Sequence, residues 1–282
     1  MTQQFSRSRG AVPLPEEPAR LEMHHVTVIY GGHLALEDMT AQVPHGARVA
    51  VVGPNGAGKS TLFKALMGLV PLYAGQIFIH GQPLGSHHDC VAYVPQREEV
   101  DWRFPVTVAD VVMMGRYGHL GWLRRPTARD WAIVQRSLEQ LGIAELAERP
   151  IGELSGGQQR RTFLARALAQ EPHILLMDEP FTGVDVATLE ATLQVLDHLR
   201  DAQVTVLLST HDLNLAATYF DQVMLLNRRL IRYGSPEEVL TPETIVETFG
   251  GQVFWLESRD EGPRMATASH CCPSEQSVPR RR

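Results

Sequence analysis

One short stretch of the sequence has the residue types and the spacing of a phosphate-binding loop. Residues 53–61 read GPNGAGKST, which fits the pattern G-x-x-x-x-G-K-[ST] in full. In this pattern the glycines let backbone N–H groups approach phosphate oxygens, the lysine reaches the β- and γ-phosphates, and the next hydroxyl can ligate Mg²⁺. The predicted nucleotide-binding residues are Gly53, Pro54, Asn55, Gly56, Ala57, Gly58, Lys59, Ser60 and Thr61.

A pair of carboxylates follows an apolar run further along the chain. Residues 174–177 read ILLM and lead directly into Asp178 and Glu179. Open α/β sheets bind ligands at the carboxyl ends of their strands, so both side chains should lie beside the phosphate-binding loop. Phosphoryl transfer needs mainly positioning and charge neutralisation. We therefore predict that Asp178 holds Mg²⁺ through a water molecule, and that Glu179 orients or deprotonates the attacking water.

Strands and helices that alternate along the chain must position these residues. Residues 47–52, ARVAVV, form a continuous apolar run that ends at Gly53, which is typical of a strand buried on both faces of a sheet. A helix is predicted from Lys59 to Leu69, and these two flanks argue against a chance glycine-rich loop. Further strands are predicted at 21–30, 34–43, 76–80, 91–94, 173–177, 204–209 and 221–226. Further helices are predicted after the capping pair Thr127 and Asp130, over 156–169, through Leu189, Leu193 and Leu196, and from Ser235 onward.

Composition divides the chain into an α/β domain, a helical insertion and two ends. The α/β domain is predicted over residues 21–256, and its character changes to helical at about 97–170. Residues 1–20 contain three prolines and predict a flexible segment. Residues 257–282 lack apolar periodicity and predict a disordered tail.

Charge and cysteine content exclude several classes of protein. The formal net charge of the 282-residue chain is -6, which disfavours a nucleic-acid partner, since such proteins usually have a basic face. Two of the three cysteines are adjacent, so a disulfide framework is not credible and a reducing compartment is favoured.

No apolar run approaches the roughly 20 residues that span a bilayer, and the N-terminus has no apolar signal region. We expect a chain that does not enter a membrane alone.

A third motif suggests the family. Its residues are Leu154, Ser155, Gly156, Gly157 and Gln158. Ser155 can cap a helix that begins at Gly156, and the paired glycines would let a phosphate approach the end of that helix. Together with the two sites above, this LSGGQ resembles the signature of the ABC ATPases. The resemblance implies a P-loop ATPase core with an antiparallel β subdomain and an inserted α-helical subdomain, and ATP and Mg²⁺ as cofactors. It also implies a homodimer in which each signature faces the ATP bound by the other subunit.

The resemblance covers about residues 21–250 and implies roles for single residues. Tyr30 lies where the family has an aromatic residue that stacks on adenine. Gln96 matches the glutamine that senses the γ-phosphate, contacts Mg²⁺ and links the core to the helical subdomain. Asp185 matches the dimer-interface loop after the catalytic glutamate, and His211 matches the switch histidine that contacts the γ-phosphate. The loop before Asp185 reads TGV where many members have SAL, which leaves the aspartate in place.

The segment between Gln96 and the signature bears on what is transported. Residues 100–130, VDWRFPVTVADVVMMGRYGHLGWLRRPTARD, resemble the branch of ABC importers for manganese, zinc or iron(II). Trp102, Phe104 and Pro105 would then lie near the surface that docks a membrane permease. The resemblance further implies an external solute-binding protein and a peripheral position on the cytoplasmic face of the membrane. The alternative is a neighbouring importer branch, for ferric siderophores or cobalamin.

Other hypotheses fit the sequence less well. A soluble ABC protein of translation or DNA repair usually has two cassettes or a long coiled-coil insertion, whereas this chain has one P-loop motif and no sustained heptads. A nucleotide-binding module without turnover is opposed by Glu179 and His211. The tail residues His270, Cys271 and Cys272, with His87, His88 and Cys90 elsewhere in the chain, could sense a metal. Adjacent cysteines lack the two-residue spacing of a zinc site, so a tail with incidental ligands is favoured.

Overall fold

The computed structural model describes residues 21–85, 90–96, 105–120, 124–181, 186–250, 253–258 and 262–267. Two sheets, a helical layer and a C-terminal hairpin make up this part. The strands are β1 Leu21–Tyr30, β2 His33–Val43, β3 Arg48–Val52, β4 Ala74–Ile79, β5 Gln82–Pro83, β6 Val91–Val94, β7 Ile174–Asp178, β8 Thr205–Thr210, β9 Gln222–Asn227, β10 Arg229–Gly234, β11 Val253–Ser258 and β12 Gly262–Thr267. The helices are α1 Lys59–Leu66, α2 Val108–Met113, α3 Tyr117–Leu120, α4 Ala128–Gln140, α5 Gly156–Ala169, α6 Val186–Asp201, α7 Leu213–Tyr219, α8 Pro236–Val239 and α9 Pro242–Phe249. None of these helices is long and apolar enough to cross a bilayer.

The larger sheet is mostly parallel and is buried on both faces. Its strand order is β10-β9-β3-β8-β7-β6, and only β10 runs antiparallel to its neighbour. All residues of β3, β7 and β8 are buried, as the continuous apolar runs predict for central parallel strands. Because β3, β6, β7 and β8 are parallel, their carboxyl ends meet at one edge of the sheet. That edge holds the phosphate-binding loop and the carboxylate pair.

Two hydrophobic cores lie on opposite faces of this sheet. Val49 and Val51 of β3 join a core with α1 and the antiparallel sheet, whose strand order is β2-β1-β4-β5. Ala50 and Val52 of the same strand join a second core with the helical insertion. The alternation follows from the period-two geometry of a strand. The observed architecture confirms the predicted α/β fold with an antiparallel subdomain and a helical insertion.

Three helices of the insertion begin with reciprocal capping boxes. Thr107 with Asp110 caps α2, Thr127 with Asp130 caps α4, and Ser155 with Gln158 caps α5. In each box the side chain of the first residue accepts from a backbone N–H of the helix, while the later side chain accepts from the backbone N–H of the first. The predicted pairing of Thr127 with Asp130 and the predicted cap at Ser155 are therefore confirmed.

Several predicted boundaries differ from the structure. Helix α1 ends at Leu66 rather than Leu69, because Gly68 has a left-handed backbone with φ 68° that cannot continue a helix. The expectation that residues from 257 onward lack structure is wrong in part. Strand β11 continues to Ser258 and pairs antiparallel with β12, which lies against α7. Two short strands carry too weak a periodicity for the sequence alone to reveal them. Residues 1–20 and 268–282 lie outside the described residues.

Candidate active site

The phosphate-binding loop leaves β3 at Gly53 and turns into α1 at Gly58. Gly58 has a left-handed backbone with φ 99°, and a Cβ there would lie 2.6 Å from the carbonyl oxygen of Ala35. A Cβ at Gly53 would lie 2.1 Å from the carbonyl oxygen of Leu226. Real Cβ atoms do not approach so closely, so the spacing of these two glycines is a steric requirement of the fold. The loop could not take this course with any larger residue at either position.

The N-terminus of α1 opens into a cavity of about 270 Å³. No side chain of the described residues forms a capping hydrogen bond at this helix end. The first N–H groups of a helix have no partner within the helix and carry partial positive charge, so they favour an anion. The cavity is lined by Ala35, Asn55, Gly56, Ala57, Gly58, Lys59, Ser60, Thr61, Gln96 and Glu179. The loop, Gln96 and Glu179, which are distant in sequence, are thus brought to one site.

Lys59 is the buried cation of this cavity, with only 6% of its side chain exposed. Its Nζ donates to the carbonyl oxygens of Gly53, at 2.8 Å, and Pro54, at 3.2 Å. Nζ also lies 3.5 Å from Oε1 of Glu179. Burial lowers the pKa of Lys59 from its ordinary value, and the charge of Glu179 opposes that shift. The lysine therefore stabilises the observed shape of the loop through these two carbonyl groups.

A serine from the neighbouring strand orients both carboxylate residues. Asp178 ends β7 and is 3% exposed, and the Ser209 hydroxyl donates to its Oδ1 at 2.5 Å. The backbone N–H of Glu179 donates to the same Ser209 oxygen at 2.9 Å, and the Tyr93 hydroxyl donates to Oδ2 of Asp178 at 3.5 Å. Sequence reasoning assigned no role to Ser209 or Tyr93. The role of Ser209 follows from the register of the sheet, because Asp178 and Ser209 are paired residues of the parallel strands β7 and β8.

Glu179 has an unusual backbone conformation that aims its side chain into the cavity. Its φ is 47°, in the left-handed region that non-glycine residues rarely adopt. Such a conformation costs on the order of 1 kcal/mol or more, and such strain clusters at active sites. Gln96 Nε2 donates to Oε2 of Glu179 at 2.9 Å, and Lys59 faces Oε1. Both oxygens are therefore held in place by side chains that line the same cavity.

The signature residues Leu154, Ser155, Gly156, Gly157 and Gln158 lie away from this cavity and form the start of α5. Ser155 Oγ accepts from the backbone N–H of Gln158 at 3.3 Å, and Gln158 Oε1 accepts from the backbone N–H of Ser155 at 2.9 Å. A Cβ built at Gly156 would meet nothing within 4 Å. Packing against the described residues therefore does not explain a glycine at position 156.

The remaining predicted site residues have different surroundings. Tyr30 ends β1, is 55% exposed, and has Lys64 Nζ 5.7 Å from its ring centroid. His211 is half-buried directly after β8, and the described lining of the cavity does not include it. Asp185 lies outside the described residues, as do Trp102, Phe104, His270, Cys271 and Cys272. Pro105 is exposed before α2.

Several known proteins are similar to this chain in sequence. Residues 36–182 match the family model described as ABC transporter. The chain is 46% identical to the manganese transport system ATP-binding protein MntB of Bacillus subtilis, over 85% of this chain and 96% of the relative. It is 46% identical to the zinc transport system ATP-binding protein TroB of Treponema pallidum, over 83% and 88%. It is also 48% identical to the chelated iron transport system membrane protein YfeB of Yersinia pestis, over 82% and 79%.

Solved structures support the fold. A chain of a metal-chelate type ABC transporter in an inward-facing conformation superimposes with a TM-score of 0.77 at 26% identity, covering 89% of this chain and 98% of that one. An ATP-binding cassette in its ADP conformation superimposes with a TM-score of 0.71 at 23% identity, covering 83% and 100%. The sequence matches and the fold together show that this chain belongs to the ABC transporter family and is one of its ATP-hydrolysing, ATP-binding subunits.

Proposed function

We propose that this subunit powers the import of a divalent transition metal, which is manganese, zinc or iron, through a separate membrane permease. The observation that carries the proposal is the 46% to 48% identity, over more than four-fifths of the chain, to proteins named for manganese, zinc or chelated iron transport, two of which are named as ATP-binding proteins. The subunit would bind the permease at the cytoplasmic face of the membrane, with the exposed Pro105 near the contact. An external solute-binding protein would deliver the metal to the permease.

ATP would bind with its phosphates at the N-terminus of α1. The backbone N–H groups of the loop and the Lys59 ammonium, which line the cavity, would bind the β- and γ-phosphates. The exposed ring of Tyr30 would stack on the adenine, and Lys64 lies over that ring. Phosphate oxygens would replace the carbonyl partners of Lys59.

The donor set of the site fits Mg²⁺. Ser60 and Gln96 line the cavity, and the carboxylate of Asp178 is held nearby by its hydrogen bond from Ser209. The site therefore offers hydroxyl, amide and carboxylate oxygens as ligands. Hard oxygen ligands of this kind are those that Mg²⁺ prefers. When bound with ATP, the ion would neutralise charge on the β- and γ-phosphate oxygens.

Hydrolysis would depend on Glu179 as the group that orients the attacking water and accepts its proton. Gln96 and Lys59 hold the two carboxylate oxygens, so the base is positioned before water arrives. His211 would contact the γ-phosphate after a closing movement, since in this conformation it lies outside the cavity lining.

A second copy of the chain would complete the site. The signature from Leu154 to Gln158 does not reach its own cavity, and Gly156 leaves open space at the start of α5. In the proposed homodimer, Ser155 and Gly157 of each subunit face the ATP held by the other, with the loop of Asp185 at the interface. ATP would close the dimer and move the helical insertions against the permease, and hydrolysis would reopen it.

The metal content of cells that lack this gene tests the proposed cargo. We expect selective loss of manganese, zinc or iron in metal-poor medium, restored by the normal gene and by Glu190→Gln, an exposed glutamate on α6, but not by Glu179→Gln. Unchanged levels of all three metals, in a strain without redundant uptake systems, would contradict metal import. Ferric-siderophore or cobalamin uptake would be measured in the same strains, because loss of either would assign the alternative cargo.

A further inference from the structure

Two histidines and a cysteine meet at the amino edge of the parallel sheet, opposite the nucleotide cavity. His80 follows β4, Cys90 directly precedes β6, and His173 directly precedes β7. One ligand atom from each of the three residues lies within 4.8 Å of the other two. All three residues are half-buried. No step of the proposed ATPase mechanism uses this cluster.

The backbone of both sheets holds the cluster together. His173 N donates to the carbonyl oxygen of Cys90 at 2.8 Å, next to the paired residues Val91 and Ile174 of β6 and β7. His80 is in the turn between β4 and β5 and has a left-handed backbone with φ 52°. Its Nε2 lies 3.0 Å from Nδ1 of His173, and the two rings are nearly perpendicular. The three positions are therefore set by regular structure rather than by a loose loop.

The donor set selects for metals of the zinc class. Imidazole and thiolate suit Zn²⁺ and Co²⁺, whereas Mg²⁺ and Mn²⁺ prefer oxygen ligands. Bonds of about 2.0 Å to nitrogen and 2.3 Å to sulfur make the edges of a tetrahedral site roughly 3.3 to 3.5 Å long. The two histidine nitrogens, 3.0 Å apart, are already close to that separation. All separations in the cluster are within 4.8 Å, so none needs to shorten by more than roughly 1.5 Å.

We propose that His80, Cys90 and His173 bind a single divalent ion of the zinc class, with a water molecule as the fourth ligand. This site is distinct from that for Mg²⁺. Along β7, Asp178 lies five residues after His173, which is a distance of roughly 16 Å at a rise of about 3.3 Å per residue. The proposal does not depend on the transported cargo and would stand if the cargo were a siderophore.

Bound metal would connect three strands from two sheets. Strand β4 belongs to the antiparallel sheet, while β6 and β7 lead from the cluster towards Gln96 and Glu179. A ligand that binds the folded chain and not the unfolded one stabilises it by mass action. Zn²⁺ is therefore expected to raise the Tm of the full chain, and more so as its concentration rises.

Titration of the metal-free full chain with Co²⁺ tests the proposal, because a thiolate–cobalt bond gives a charge-transfer absorption that oxygen ligands do not give. We expect one Co²⁺ per chain with this absorption, and its displacement by one equivalent of Zn²⁺ but not of Mn²⁺. Cys90→Ser should abolish the absorption. The matched control, Cys271→Ser with Cys272→Ser, should keep it. His80→Ala should weaken binding at least about tenfold, since even the loss of an outer hydrogen-bond partner costs that much.

Two results would overturn the proposal. One is absorption that survives Cys90→Ser but disappears in the tail variant, which would place the ligands at Cys271 and Cys272. The other is no absorption in the normal chain with Co²⁺ in excess. Circular dichroism and ATP binding check that Cys90→Ser folds. If it does not, X-ray absorption of the Zn²⁺-loaded tail variant decides, since the proposal requires one sulfur and three nitrogen or oxygen ligands.

Discussion

Two helices of this molecule have glycine-rich N-termini that differ in how they are capped. Helix α1 begins after Gly58, and within the described residues no side chain caps it. Helix α5 begins after Ser155, and there Ser155 and Gln158 cap each other's backbone N–H groups. Both starts are rich in glycine, but among the described residues Gly53 and Gly58 are required by close steric contacts, whereas Gly156 has no such contact.

We infer from this difference that α1 and α5 contribute to separate steps, α1 to the binding of ATP and α5 to its hydrolysis. At an uncapped helix end the first backbone N–H groups have no hydrogen-bond partner, so they can donate directly to a bound phosphate. At a capped end, side chains already accept hydrogen bonds from some of these N–H groups. Phosphate binding there would need further contacts, such as those at a closed dimer interface. We therefore expect α1 to determine ATP affinity in the single chain, and α5 to affect hydrolysis without affecting that affinity.

The largest expected effect is that of Glu179→Gln on hydrolysis. Removing a positioned general base costs about 10²- to 10⁴-fold in rate. ATP affinity should be unchanged, because glutamine can still accept from Gln96 and the loop at α1 is untouched. Steady-state ATPase assays and nucleotide binding by calorimetry measure the two properties, with Glu190→Gln as the control. Equal loss of binding and turnover would contradict the separation of the two steps.

Lys59→Ala is expected to have the next largest effect, and on binding. Charge-assisted hydrogen bonds contribute about 1.5 to 3 kcal/mol, which corresponds to roughly 10- to 100-fold in affinity. Lys64→Ala is the natural control, since Lys59 and Lys64 are the only lysines in the chain and Lys64 lies over Tyr30 instead. ATP titration of both variants checks the prediction. Undiminished affinity in Lys59→Ala would remove this lysine from the phosphate site.

Gly156→Ala tests whether the start of α5 serves a partner. A Cβ there meets nothing within the chain, so the Tm should not fall. ATP hydrolysis by the assembled transporter should fall about tenfold or more, because the added methyl group would keep the phosphate away from the helix N-terminus. Loss of one hydrogen-bond donor to the charge that develops in a transition state lowers the rate by at least that factor. Gly58→Ala is the contrasting variant, since its Cβ would clash with Ala35 and ATP binding itself should be lost. Normal hydrolysis by Gly156→Ala would refute the proposed role of this glycine.

Much of the fold follows from the sequence, for identifiable reasons. The buried strands β3, β7 and β8 are continuous apolar runs, and turn or cap residues mark the helices that follow. The hydrogen bond from Ser209 to Asp178 could not be predicted, because it requires knowing that β7 and β8 are neighbours and in which register. The approach of His80 to His173 is a similar case, since it joins turns from two different sheets. Local patterns reveal elements, whereas contacts between distant elements need the topology.

A smaller effect is expected from removing the cap of α5. Ser155→Ala should cost about 1 kcal/mol of stability, as N-cap losses do. Thr127→Ala removes an equivalent capping box from α4, and a similar cost is expected there. Only Ser155→Ala should also lower ATP hydrolysis, because only that hydroxyl belongs to the proposed dimer interface. Chemical denaturation and ATPase assays of both variants test this, and equal activity of the two would reduce Ser155 to a structural cap.

The pH dependence of ATP affinity is the smallest expected effect, and it is expected to arise from Lys59 at the start of α1. Burial holds the pKa of Lys59 below 10.5 when no nucleotide is bound, whereas phosphate charge favours its ammonium form. As the pH rises through the lowered pKa, the lysine loses its proton, and ATP binding must then take one up. The affinity of the normal chain should therefore fall with pH over the alkaline range below 10.5. Lys59→Arg should show a flatter profile, because a guanidinium stays charged there. The slopes are compared rather than the absolute affinities, since arginine is the larger side chain, and identical slopes would show that Lys59 keeps its proton throughout.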